Sequence, residues 1–392
     1  MEQVDTRRAP ALISYVSELT IVMVSIYLPY RAYQLGANGF LVGLVGASGS
    51  VVYMFAPFLT GRLTDRVGPR RLLILGTTTI ALVCLLYTAI TQPILFVAIR
   101  LVEGLGWAMI WPPLEALYSV SGSDLNKSMK TFNVAWGLGA ITSPMLGSLV
   151  VDVSAVRWTM LVAAVLMGIA LALTLTVRAA PVHQASLREA KGDGLNLWRS
   201  ALLLSNAFAY GFTMTTISTF FPKYAASMNL EVTLWGTILS AIYAGRLVAF
   251  FFSERVMEAM GLERTRRIFL VAALCFPVCA VLPGTSAALM VIASFVTGVG
   301  FGLVYSATIV GVMGGPVAGR GRAAGLFESS LGLGSFVGPA FAGAVASSGL
   351  WLTMALPVAP ILLLLLAGPA SGRGRARLPS SEDNVGNQAS HS

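Results

Sequence analysis

The chain has 392 residues, of which 56% are apolar and 11% are charged, and its formal net charge is +9. No soluble shape of this length could bury so much apolar surface, so lipid must cover much of it and we expect an integral membrane protein. The positive charge does not indicate a nucleic-acid partner, because the basic residues come in short groups between apolar runs and no base-stacking motif accompanies them.

Twelve apolar runs follow one another, each long enough for a membrane-spanning helix of about 20 residues. Their predicted bounds are 11–34, 39–60, 72–91, 93–119, 130–151, 157–178, 198–221, 232–253, 267–284, 286–312, 323–346 and 350–368. The longest internal polar stretch divides them six and six. The sequence therefore predicts an all-α integral membrane fold with twelve transmembrane helices in two pseudo-symmetric six-helix bundles. The bundles are 1–178 and 198–368, joined by a cytoplasmic linker at 179–197 and followed by a disordered cytoplasmic tail at 369–392.

The two halves resemble each other in sequence. The segments 132–144 and 327–339 share Phe, Gly, Leu, Gly and Pro at matching positions and lie about half the chain apart. An internal duplication of a six-helix unit is the simplest account, and such repeats are typical of secondary transporters.

The positions of the basic residues predict the orientation in the membrane. Most of the 26 Lys and Arg lie before the first run, in the even-numbered connections or in the tail. By the positive-inside rule, both termini are expected on the cytoplasmic side of the cell membrane.

One connection carries a recognisable motif. Gly61-Arg-Leu-Thr-Asp65-Arg66-Val-Gly68-Pro-Arg70-Arg71 stands between the second and third runs. It resembles the signature loop of the major facilitator superfamily and departs from that pattern at Pro69. The resemblance implies a conformational latch made by Gly61, Asp65, Arg66, Gly68, Arg70 and Arg71. The alternative is an ordinary basic turn. A degenerate copy, from Glu258 to Gly261 and on to Arg267, occupies the matching connection of the second half.

Two further segments are similar to motifs of drug–proton antiporters within that superfamily. The segment 100–108 resembles the Arg-x-x-x-Gly-x-Gly motif, and 139–147 resembles a Gly-Pro antiporter motif in which Ser143 replaces a glycine. Small residues at every fourth position are also ordinary seams for helix packing in lipid, so both interpretations stay open.

The resemblance implies that the first, fourth, seventh and tenth helices line a central cavity. Each carries polar or aromatic residues on one face at 100° per residue. With one residue each from the fifth and eighth runs, the candidate cavity residues are Tyr15, Arg100, Glu103, Trp107, Trp111, Asn133, Asn206, Tyr210, Arg246 and Tyr305.

Acids inside the apolar runs are the candidates for proton coupling, because an unpaired charge in the bilayer costs about 3 kcal/mol or more. Glu18 is the first candidate, its alternative role being a cap at a helix end. Glu328 is the second, since the matching position of the first half holds Asn133.

The arginines inside the apolar runs have alternative roles. Arg100 and Glu103 are spaced to pair on one face of the helix, either for structure or for gating. Arg246 either snorkels to the interface or contacts anionic cargo.

These observations predict a secondary active transporter that exports a small organic solute in exchange for protons. We expect a monomer in the lipid bilayer, with no cofactor or metal and with the proton gradient as energy source. An enzyme is disfavoured because no metal cluster, nucleophile motif or nucleotide-binding loop is visible. The alternatives are an importer or facilitator of a sugar, carboxylate or other metabolite, and a membrane receptor that binds without transport.

Overall fold

The computed structural model describes residues 8–120, 125–177, 197–313 and 320–367. Every regular element in these ranges is an α-helix, which confirms the predicted all-α class. The predicted linker up to residue 196 and the predicted tail lie outside the described residues.

The helices of the first half are α1 (Arg8–Gln34), α2 (Gly39–Tyr53), α3 (Ala56–Val67), α4 (Pro69–Ala89), α5 (Pro93–Ala108), α6 (Trp111–Val120), α7 (Leu125–Val153) and α8 (Arg157–Thr176). Those of the second half are α9 (Leu197–Ser227), α10 (Val232–Met260), α11 (Leu262–Ala273), α12 (Cys275–Val281), α13 (Ala287–Met313), α14 (Arg320–Val345), α15 (Leu350–Ala355) and α16 (Val358–Leu366).

Seven helical stretches of the described part are long and apolar enough to cross a membrane. They are Ala9–Gln34, Pro69–Ala89, Pro93–Tyr118, Thr131–Val153, Arg157–Thr176, Val232–Met260 and Ala287–Val312. The chain is therefore a multi-pass membrane protein, as its composition predicted.

Four of the predicted runs are each divided into two helices, and a proline lies in or just after each break. The breaks lie between α2 and α3, α5 and α6, α11 and α12, and α15 and α16. Pro57, Pro112 and Pro277 stand within a few residues after the first three breaks, and Pro357 lies within the fourth. Proline lacks the backbone N–H and its ring clashes with the preceding turn, so the helical hydrogen bonds are interrupted there.

Glycine turns mark the two ends of the molecule. At the end where α1 begins, here called the proximal end, Gly68 and Gly261 connect α3 to α4 and α10 to α11 with φ of 85° and 76°. At the opposite, distal end, Gly36, Gly284 and Gly349 also have positive φ. The segment predicted as a signature loop is not a loop, because α3 continues to Val67 and α4 begins at Pro69. Gly68 alone turns the chain, since glycine adopts positive φ without a steric penalty.

The two halves pack against each other through glycines near the distal end. A Cβ on Gly43 of α2 would collide with the carbonyl oxygen of Pro339 and lie 3.0 Å from the Cα of Gly343 on α14. A Cβ on Gly236 of α10 would lie 2.7 Å from the carbonyl oxygen of Pro144 on α7. These two contacts, here called the distal seam, allow the backbones to approach closely and hold the halves together at that end.

Candidate functional site

A central cavity of about 1130 Å³ lies between the two halves. Its walls come from α1, α2, α5, α6 and α7 of the first half and from α9, α10, α13 and α14 of the second. On each helix the lining residues stop short of the distal end, so the cavity lies on the proximal side of the distal seam. The helices expected from the family resemblance do line it, and α2, α7, α10 and α14 join them.

An ion pair inside the cavity connects the halves. The Nη2 atom of Arg246 on α10 lies 3.7 Å from Oε1 of Glu18 on α1, and the two side chains are only 6% and 7% exposed. The Nη1 atom of Arg246 donates to the Tyr210 hydroxyl at 2.8 Å. Its guanidinium carbon stands 4.1 Å from the centre of the Trp136 ring. Among the described residues, this is the one ion pair that joins the two halves.

Of the two alternatives for Arg246, snorkelling to the interface does not occur in this conformation, because the residue is 5% exposed and lines the cavity. The hydrophobic run was expected to end at residue 253, which would leave Arg246 near the membrane surface. Helix α10 instead continues to Met260, so Arg246 lies several turns from its end and is buried. Hydropathy alone misplaced the end because the last turns of α10 are polar but still helical.

Arg100 and Glu103 form a second ion pair, contained within the first half. Nη1 of Arg100 lies 2.6 Å from Oε1 of Glu103. Glu103 also accepts hydrogen bonds from the Tyr87 hydroxyl at 2.6 Å and from Nε1 of Trp107 at 3.0 Å. Nε of Arg100 donates to the carbonyl oxygen of Val45 on α2 at 3.1 Å. The charges are thus satisfied within the protein, and the network holds α5 against α2 and α4.

Aromatic side chains cover much of the cavity wall. Trp107 and Trp111 are stacked with their ring centroids 6.4 Å apart. Tyr305 packs against Tyr210 at 5.2 Å. Asn133 also lines the cavity and is solvent-exposed, so the cavity is accessible to water.

Two of the predicted cavity residues do not line it. The Tyr15 hydroxyl pairs with the Thr142 hydroxyl at 3.0 Å, on the side of α1 that packs against α7. Asn206 is 1% exposed, and its amide has no hydrogen-bond partner among the described residues. A face defined by helical spacing is about 100° wide, and part of it packs on a neighbouring helix rather than on the cavity.

Two further acids line the cavity without a basic partner. Glu328 of α14 and Glu115 of α6 form no ion pair or hydrogen bond among the described residues. They are close enough to each other to interact electrostatically. Tyr53 of α2 lies within electrostatic range of both and of Glu18. Sequence reasoning missed Tyr53 because α2 was not among the helices expected to face the cavity.

The basic residues of the signature motif lie at the proximal end. Nη2 of Arg70 donates to the carbonyl oxygen of Leu175 at 2.8 Å and thereby ties the start of α4 to the end of α8. Arg66 and Arg71 are exposed. The side chain of Asp65 and the surroundings of Gly61 lie outside the described part, so the latch predicted for this motif stays a prediction.

The matching turn of the second half holds a compact charge cluster. Glu263 accepts from Nη2 of Arg266 at 2.8 Å and from Nε of Arg267 at 2.8 Å. Arg266 is only 2% exposed. Within the described ranges, no group of three or more His, Cys, Asp or Glu side chains lies close enough together to hold a metal ion.

Comparison with known proteins places this architecture in a family. Residues 11–316 match the sequence model of the Major Facilitator Superfamily. A search of curated proteins gives no significant match to the chain.

Several solved transporters have a similar fold. A point mutant of the nucleoside transporter NupG has a TM-score of 0.82 at 17% identity, covering 92% of this chain and 99% of its own. A bacterial homolog of the human lysosomal transporter Spinster, inward-facing and unoccupied, has a TM-score of 0.71 at 13% identity, with 94% and 96% covered. A POT family transporter in complex with 5-aminolevulinic acid has a TM-score of 0.73 at 13% identity, with 92% and 94% covered. At these identities the likeness establishes the fold alone.

Proposed function

Because the chain belongs to the Major Facilitator Superfamily, we propose that it is a secondary active transporter that moves a small organic solute by alternating access. In this proposal the helical segments form twelve transmembrane helices in two six-helix bundles that rock about the central cavity. The observation that carries it is the Glu18–Arg246 ion pair, which connects the two halves inside a water-accessible cavity.

The position of the cavity supports one direction of access. The lining residues lie on the proximal side of the distal seam, so a solute enters and leaves from the proximal end in this conformation. The positive-inside rule puts that end in the cytoplasm, and the conformation is then the one that loads cargo for export.

Proton coupling follows from the chemistry of the ion pair. A proton on Glu18 neutralises its carboxylate and removes the attraction to Arg246. Arg246 keeps its hydrogen bond to Tyr210 and its contact with Trp136. The contact that weakens is therefore the ion pair between α1 and α10, whereas the contact of Arg246 with Trp136 between α7 and α10 persists, so protonation removes one of the two links that Arg246 makes to the first half. Glu328 is the second acid that a proton can occupy, and the proton gradient supplies the energy for export without a cofactor.

The test is flux in proteoliposomes, with cargo chosen by a thermal-shift screen across drugs, sugars, nucleosides and organic acids. A selective ligand stabilises the native state and raises its melting temperature. We expect saturable flux driven by a pH gradient. Glu18→Gln should abolish the response to the gradient and leave cargo binding in place. The matched control is Glu231→Gln, which alters an exposed acid at the distal end of α10.

The other outcomes identify the rival functions. Flux that is indifferent to the pH gradient, and that survives both Glu18→Gln and Glu328→Gln, would assign a facilitator or an importer coupled in another way. Selective binding without any flux would assign a receptor.

A further inference from the structure

The charges on the described residues of the cavity wall do not balance. The acids on it are Glu18, Glu103, Glu115 and Glu328, and the bases are Arg100 and Arg246. Arg100 is paired with Glu103, and Arg246 is paired with Glu18. Glu115 and Glu328 have no counter-charge among the described residues, so the described part of the wall carries two carboxylates in excess.

The shape of the cavity strengthens the effect of these carboxylates. Charges of one sign in a cleft with low-dielectric walls focus the electric field and raise the local concentration of counter-ions. The cavity lies between helices whose outer faces are apolar, and its volume of about 1130 Å³ holds a solute of several rings. A cation entering this space is attracted, and an anion is repelled, since Glu18 already neutralises Arg246.

Aromatic rings line the same cavity as the unpaired acids. Tyr53 is within electrostatic range of both Glu115 and Glu328, and Tyr305 is within range of both as well. Trp111 lies one helical turn before Glu115 on α6 and also lines the cavity. Aromatic faces attract cations through the ring quadrupole, and they stack with flat ring systems. The carboxylates and the aromatic rings therefore favour the same ligand, a cation with a flat ring system.

We propose that the cargo of this cavity is an organic cation with a planar aromatic body, for which Glu115 and Glu328 supply the counter-charge and Tyr53, Tyr305 and Trp111 the stacking surface. The assignment rests on the proposed function, since it takes the cavity to be the transport site. The same charges repel a carboxylic acid or a phosphorylated metabolite, so neither is expected as the main cargo.

A matched set of three-ring probes tests the proposal on the purified full-length chain. N-methylacridinium is a permanent cation, acridine is its neutral counterpart at mildly alkaline pH, and acridine carboxylate is the anion. Binding is measured by the quenching of tryptophan fluorescence, because Trp107, Trp111 and Trp136 line the cavity. We expect the cation to bind about tenfold or more tightly than acridine, and the anion most weakly.

The variants separate charge from shape. Glu115→Gln with Glu328→Gln should remove most of the preference for the cation and leave acridine binding unchanged. Glu231→Gln with Glu258→Gln removes two exposed acids outside the cavity and should preserve the preference. Should the first pair of changes prevent folding, Glu115→Gln alone, at an exposed and unpaired side chain, should still reduce the preference severalfold.

Equal binding of the three probes, or tighter binding of the carboxylate, overturns the proposal. Flux measurements distinguish this result from failure of the proposed function. Saturable flux of an anion or a neutral solute, without any cation preference, would support the transporter function and refute the cationic cargo. Cation binding that depends on Glu115 and Glu328, without flux of any probe, would support the cation-binding site and refute the transport function.

Discussion

Gly43 is the point at which the distal seam is most sensitive to a single methyl group. Its Cβ would collide with the carbonyl oxygen of Pro339 and stand 3.0 Å from the Cα of Gly343. These are backbone atoms of α14, which cannot rotate away, so Gly43→Ala must push α2 and α14 apart. Overpacking of this kind costs about 1–3 kcal/mol. If the seam closes the distal end, the population of the conformation that is open there rises relative to the closed one by a factor of about 5–150.

Thiol labelling measures this shift. Ser25 of α1 lines the cavity, and a membrane-impermeant maleimide added on the distal side reaches Ser25→Cys only when that end is open. The background lacks Cys84, Cys275 and Cys279, the cysteines of the chain. The labelling rate is proportional to the distally open population, so Gly43→Ala should raise it by the factor given above.

Gly168→Ala is the matched control, because nothing lies within 4 Å of a Cβ at this position on α8. It should leave the labelling rate unchanged. A folded Gly43→Ala protein that labels no faster than this control would refute the argument, since the seam would then not be what keeps the distal end closed.

Two stability predictions use the melting temperature in detergent as the measurement. Glu103→Gln leaves the buried guanidinium of Arg100 without its counter-charge and should cost about 3–5 kcal/mol; a melting temperature close to wild type would show that the pair is not structural. Gly68→Ala and Gly261→Ala force a side chain into the positive-φ turns at 85° and 76° and should each cost about 1–3 kcal/mol. Gly168→Ala should be near neutral, and equal stability of the three glycine variants would contradict the role assigned to the turns.

Much of the helical layout was accessible from sequence because its causes are local. Long apolar runs, a proline after a helix break and a glycine at a positive-φ turn each act on the residues beside them. Pro112 stands at the point where the fourth run is interrupted. Gly68 and Gly261 occupy matching motif positions and have nearly the same φ. The end of α10 was misjudged because helix geometry continues beyond the apolar segment that hydropathy detects.

The cavity was only partly predictable. Arg100 and Glu103 are three residues apart, so their pairing follows from helix geometry alone. Tyr15 shared a face with Glu18 by the same reasoning, yet its hydroxyl contacts Thr142 instead of the cavity. The rotation of a helix about its axis is set by the residues packed around it, and this information is spread over several distant segments.

The sequence by itself determined that the chain is an all-helical membrane protein; it predicted a repeated six-helix unit and pointed to the acids within apolar runs as the side chains that need partners. Which partners they have was decided only by the tertiary structure. Glu18 forms an ion pair with Arg246 of the other half. Glu115 and Glu328 interact electrostatically with each other and pair with no base among the described residues. The physical reason is that charges interact through space, across helices whose order along the chain does not fix their contacts.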